Sequence, residues 1–176
     1  MQDTTKFFEM ALDHALSLML ARAKTAPKAK GVDALSYLII EKEEVEALSQ
    51  EIERLGIEKD VPFFIRDSKN ILNAERVFII GAKDEIRSIP QCGFCGYENC
   101  GHKLKNDGRC VYPLIDLGIA MGSALTMAQL SGIDTRMMYT VGKAALSLGL
   151  LEDCDVAIGI PMSITEKNVF FDRFTT

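Results

Sequence analysis

Four of the five cysteines in this chain fall within nineteen residues, as Cys92-Gly-Phe-Cys95-Gly-Tyr-Glu-Asn-Cys100 followed by Cys110, a Cys-x2-Cys-x4-Cys-x9-Cys spacing. Four thiols at such spacing point to a metal centre, with redox-active or unmetallated cysteines as the remaining alternative. A cubane of four irons and four sulfides takes one thiolate per iron, and a tight loop wraps the first ligands round one side while the last returns from the other. Gly93 and Gly96 admit positive φ at low cost and turn backbone N–H groups toward an anionic cluster. A structural zinc ion held by four cysteines is the alternative, because short Cys-x2-Cys hooks serve both metals and spacing alone does not separate them. A zinc knuckle would carry histidine where Cys100 stands and would come with a basic, nucleic-acid-binding surface. The reading adopted is an iron–sulfur cluster on Cys92, Cys95, Cys100 and Cys110. His102 is a conceivable substitute ligand, but with four thiols at hand it reads as an outer hydrogen-bonding group or as surface. Cys154, between Asp153 and Asp155, reads as a structural cysteine, since flanking carboxylates disfavour a thiolate.

No other catalytic constellation is visible. The chain shows no His/Asp pairing, no serine elbow and no glycine-rich phosphate loop, so chemistry would belong to cofactors. A net charge of −5 and a pI near 5.1 argue against nucleic acid as a partner, with Lys24, Lys28 and Lys30 the one basic cluster. The start of the chain, with Glu9 and Asp13 close behind it, lacks the basic-then-apolar pattern of a secretory signal, so a cytoplasmic protein with reduced thiols is expected. The charge-poor stretch 117–133 is interrupted by Gly118, Gly122, Ser123, Thr126, Gln129 and Gly132, and it reads as a buried helix rather than a membrane span.

The surrounding elements must position that loop. Apolar residues at Phe8, Ala11, Leu12, Ala15, Leu16, Met19 and Leu20 predict an amphipathic helix reaching about residue 24, before Pro27. Residues 34–40 read as a buried strand, and Val45, Leu48, Ile52 and Leu55 mark one face of a helix that Gly56 would stop. A short helix over 63–73 and a core strand over 76–81 follow. From 89 to 110 there is no apolar period long enough to order the chain by burial. Beyond it come a strongly apolar helix over 112–130, a strand over 134–141, a short helix over 142–150 and a closing strand over 156–164. Strands and helices interleave round one sheet, giving an α/β or α+β domain spanning 1–176 with the cysteine loop 89–111 inserted in it.

The cysteine loop runs at once into Asp116-Leu-Gly-Ile-Ala-Met-Gly-Ser-Ala. With Ala21-Arg-Ala-Lys-Thr-Ala-Pro-Lys-Ala-Lys-Gly31, Gly132-Ile-Asp-Thr135 and Gly159-Ile-Pro161, the chain resembles, over nearly its whole length, a family of prokaryotic proteins described as containing a ferredoxin domain. The loop also looks like the four-iron domain of corrinoid iron–sulfur proteins and ion-pumping electron-transfer complexes, which begin Cys-Gly-x-Cys-Gly-x-x-x-Cys; here the gap before Cys110 is much shorter. Outside the loop, a helix leading into Arg-x-x-Thr-Ala-Pro, a Gly-Ile-Asp turn and a terminal Gly-x-Pro strand are similar to the flavin-dependent nitroreductases. That resemblance implies a three-layer sandwich with a mostly antiparallel central sheet, a bound FMN and a homodimer, in which Gly118 and Gly122 would allow close helix packing at a two-fold interface or, equally well, within the chain; a cluster would in turn imply a redox partner protein. In nitroreductases an N-terminal arginine cluster holds the flavin phosphate. This chain has no such cluster in its first helix, and Arg22, Lys28 and Arg173 are the residues the resemblance offers for that role.

Overall fold

The computed structural model describes residues 4–173. Its centre is β2 (Arg76–Ala82), buried at every position after Arg76. β2 pairs antiparallel with β1 (Leu35–Glu41) on one side and with β4 (Val156–Ser163) on the other. The two-residue β3 (Asp134–Thr135) adds to β4, so the sheet order is β1-β2-β4-β3 and every pairing is antiparallel. A strand with partners on both edges and helices on both faces must be apolar throughout, which explains the uninterrupted Val-Phe-Ile-Ile run.

Alternate residues divide the core in two. Phe78 and Ile80 of β2, with Ile160 and Met162 of β4, join the layer formed by α1 (Thr5–Thr25) and α5 (Tyr112–Leu130). Val77, Ile79 and Ala157 face the opposite layer, formed by α2 (Val45–Glu58), α3 (Pro62–Ile71) and α6 (Tyr139–Ser147). The result is helices, sheet and helices in three layers, with α1 packed on α5 and α2 packed on α3 and α6. Beyond β4 a short 3-10 turn, Val169–Phe171, buries Phe170 in the second layer.

Two sequence expectations change. Gly56 does not stop α2: it lies buried inside the helix, where a Cβ would run into Phe64 and Ile65, and it serves the close approach of α2 and α3. The strand expected over 134–141 ends at Thr135. Met138 then makes a single bridge to Gly159, and Tyr139 opens α6. The reason is contact at the sheet. A Cβ on Gly142 would overlap the Ala157 carbonyl, and one on Gly159 would overlap the Val141 side chain, so α6 lies almost on the backbone of β4. Thr140 and Val141, which pattern reading assigns to a strand, are therefore drawn into a helix by packing.

Gly142→Ala should overpack this contact and lower unfolding stability by about 1–3 kcal/mol. Denaturant titration checks it, and a wild-type midpoint would show that α6 can shift without cost.

Candidate metal centre

The segment 83–111 leaves the end of β2 and returns at the start of α5; its one regular element is α4 (Cys100–Lys105). Asn99 caps α4, its side-chain oxygen accepting from the His102 N–H at 2.9 Å. Ahead of α4 the chain turns tightly about Cys95: the Gly96 N–H donates to the Gly93 carbonyl at 2.9 Å, with φ of +59° at Gly93 and +83° at Gly96. A side chain would strain both positions, so the glycines flanking Cys95 are what make this turn available.

Ion pairs anchor the segment where apolar packing does not. The Asp84 carboxylate accepts from the Lys103 ammonium at 2.7 Å and from the Cys110 N–H at 2.9 Å, tying α4 and the last cysteine to the end of β2. Against the raising effect of its own burial, Lys103 and the Cys110 N–H hold the Asp84 carboxyl below its ordinary pKa. Deeper in, the Arg87 guanidinium donates to Asp116 on α5 at 3.2 Å, to the Val32 carbonyl at 3.1 Å and to the Glu85 carbonyl at 3.0 Å. The Arg87 and Asp116 side chains are 1% and 3% exposed. Asp116 also accepts from the Ala29 N–H at 3.0 Å, so this carboxylate joins α5, the cysteine segment and the turn after α1.

All four predicted ligands, Cys92, Cys95, Cys100 and Cys110, line one cavity of about 90 Å³. Cys110 is buried, the other three are partly exposed, and none forms a disulfide. The thiols stand around this space. Among the described residues no three His, Cys, Asp or Glu side chains are grouped as ligands to a single ion. Tyr112 and Val111 close the wall on the α5 side. Partial burial, together with the neighbouring Cys92 and Cys110, pushes the Tyr112 phenol pKa up. Phe94 stacks on the Tyr112 ring at 5.9 Å and remains 68% exposed, an apolar rim to the cavity.

The donor set fits an anionic cluster. Four thiols face one space, the backbone turns on two glycines, and the buried Arg87 lining that space has an Nε–H with no acceptor among the described residues. A buried donor left without a partner in the protein is what an anion in the cavity would satisfy.

The remaining predicted residues are placed elsewhere. His102 is exposed and meets the Tyr97 ring edge-to-face at 5.7 Å. Cys154 packs against the second core layer, close over Gly81. Lys28 caps α1, its ammonium donating to the carbonyls of Ala23, Lys24 and Ala26 at 2.9–3.0 Å. Arg22 is exposed on the last turn of α1, whereas Arg173 donates to the Phe171 carbonyl beside the opposite layer. Asp84, Arg87, Lys103, Tyr112 and Asp116 were not singled out by sequence pattern. Asp116 did carry a signal: it is the one charged residue in α5, and a charge on an otherwise apolar helix calls for a buried partner.

The fold is nitroreductase-like. An FMN-bound nitroreductase from Desulfitobacterium hafniense superposes with a TM-score of 0.60 at 16% identity, over 88% of this chain and 79% of the other. One from Bacteroides fragilis, also with bound FMN, gives 0.61 at 13% identity, over 93% and 82%. At the level of sequence, an uncharacterized protein of Archaeoglobus fulgidus is 38% identical over 169 residues, covering 90% of each chain. The family model described as an uncharacterized protein containing a ferredoxin domain matches residues 106–173, which include Cys110. The chain belongs to this ferredoxin-domain family. Family and fold together support a redox protein.

Asp84→Ala should leave Lys103 buried without its counter-charge and release the Cys110 N–H. The expected outcome is a destabilisation of about 3–5 kcal/mol concentrated in 83–111, because breaking a buried pair strands a charge. Hydrogen exchange would read it as faster exchange at Cys110 and across α4, with β2 and β4 still protected. Unchanged exchange would show that Asp84 does not anchor the loop.

Proposed function

We propose that this protein is an iron–sulfur electron carrier whose four-iron cluster is held by Cys92, Cys95, Cys100 and Cys110. The observation that carries this reading is the convergence of all four cysteines on one cavity, which the buried Arg87 also lines with an Nε–H that has no acceptor among the described residues, a setting suited to an anionic centre. When bound, such a cluster supplies reversible one-electron transfer, at low potential where all ligands are thiolates.

The chain's own residues hold and shield. The 93–96 turn presents Cys95, the Asn99 cap starts α4 at Cys100, and Asp84 fixes the backbone of Cys110. Tyr112 lines the cavity, and the exposed Phe94 ring stacked on it offers a surface on which a redox partner protein can dock. The free thiols suit a reducing compartment such as the cytoplasm.

FMN extends the reading. It rests on the flavin in the D. hafniense and B. fragilis structures; Arg22 and Arg173 stand beside opposite layers and do not form one phosphate cluster within the chain, and Lys28 already caps α1. We also assign the outer face of α5 to a second copy of the chain. Leu114, Ile115 and Ile119 are exposed there, and a Cβ on Gly118 or Gly122 would meet nothing within 4 Å, so these glycines serve no packing inside the chain.

Cys95→Ala tests the central claim. It should abolish most bound iron and the paramagnetic signal of the reduced cluster while the circular dichroism of the scaffold persists, since the cluster takes one thiolate per iron. Full iron retention would sink the ligand assignment. For the dimer, Ile119→Asp should give a monomer by light scattering; a wild-type mass would place any interface elsewhere.

A further inference from the structure

We propose that Arg87 and Lys103 form a cationic wall that raises the reduction potential of the cluster; this rests on the iron–sulfur reading above. Both residues line the cysteine cavity, and both are almost wholly removed from water, at 3% and 4% exposure. Their carboxylate partners, Asp116 and Asp84, do not line the cavity. Two cations therefore line the space with the cysteines, whereas of the balancing carboxylates Asp116 meets the Arg87 guanidinium and Asp84 meets both Lys103 and the Cys110 N–H without lining it. Glu98 is the one carboxylate on the cavity wall, and it is exposed.

Holding two buried cations here is not required by packing. An apolar pair of similar volume would serve a purely structural purpose at least as well, so the arrangement calls for an electrostatic reason. The Arg87 geometry supplies one. Its two terminal nitrogens are committed to Asp116 and to the Val32 and Glu85 carbonyls, which fixes the plane of the guanidinium. The Nε–H is left without an acceptor on the side chain that borders the cavity. Lys103 is fixed in turn by Asp84, and the Asp84 backbone N–H donates to Asp155 at 2.9 Å. Neither cation needs to reorganise when charge in the cavity changes.

Reduction adds one electron, taken from a one-electron donor, to a centre whose four thiolates already make it anionic. Fixed cations at the edge of a low-dielectric site favour the more negative state, and net charge and hydrogen bonding are among the levers that set cluster potentials. The wall therefore acts on the equilibrium between oxidised and reduced forms, and these are positioning residues rather than ligands.

The test is the midpoint potential of the anaerobically purified protein, read by dye-mediated titration with paramagnetic resonance, together with iron per chain. Lys103→Gln and Arg87→Gln should each lower the preference for the reduced state at least tenfold, a shift of about 59 mV to more negative potential for a one-electron couple. Lys103→Arg should restore most of it, which a purely structural role would not predict. If Arg87→Gln fails to fold because Asp116 is left buried without a partner, Lys103→Gln decides alone, since the Asp84 side chain is 26% exposed and can be rehydrated. Wild-type iron with a midpoint that neither substitution moves would overturn the wall and leave the ligand assignment standing. Wild-type protein without iron would overturn both.

Discussion

The ion pair between Arg87 and Asp116 joins the two parts of this molecule that burial of apolar surface cannot join. The sheet and its helical layers are ordered by ordinary apolar packing, whereas residues 83–111 contribute little to either core cluster. Through Asp116, the apolar helix α5 reaches the guanidinium of that segment, and through the Ala29 N–H it also holds the turn that follows α1. An ion pair this deep does not add much stability over an apolar pair. What it adds is direction: it fixes where the cysteine loop stands relative to α5.

The antiparallel sheet makes that placement possible. β2 delivers the chain to one end of the sheet at Ala82, the cysteine segment loops outward, and α5 starts immediately after Cys110 and carries the chain back along the first layer. Cys110 is thereby fixed on both sides, by Asp84 just past β2 and by the first turn of α5. The first three cysteines, on the turn and on the start of α4, have more exposure.

Much of this was legible in the sequence, for physical reasons that differ by element. The helix over 112–130 was marked by a long apolar run, and β2 by the length and β-branched content of a core strand. The clustering of the four cysteines was legible because their spacing is short. The structure sets those same four residues around one cavity. What pattern could not reveal is close approach between elements distant in sequence. Gly56 and Gly142 read as a helix stop and a helix start, yet each sits where another element comes too near for a side chain. The buried cations were hidden for a related reason. Arg87 and Lys103 lie in polar, irregular sequence that reads as surface, and only the fold shows that Asp116 and Asp84 draw them inward.

The account stands or falls on what the four cysteines hold. Anaerobic purification followed by iron, zinc and acid-labile sulfide analysis, with the visible spectrum taken before and after dithionite, addresses this directly. The account predicts a brown protein with about four irons and four sulfides per chain, whose absorbance bleaches on reduction. A colourless protein with about one zinc per chain and no sulfide would contradict it, and would make the cysteine loop a stapled structural module.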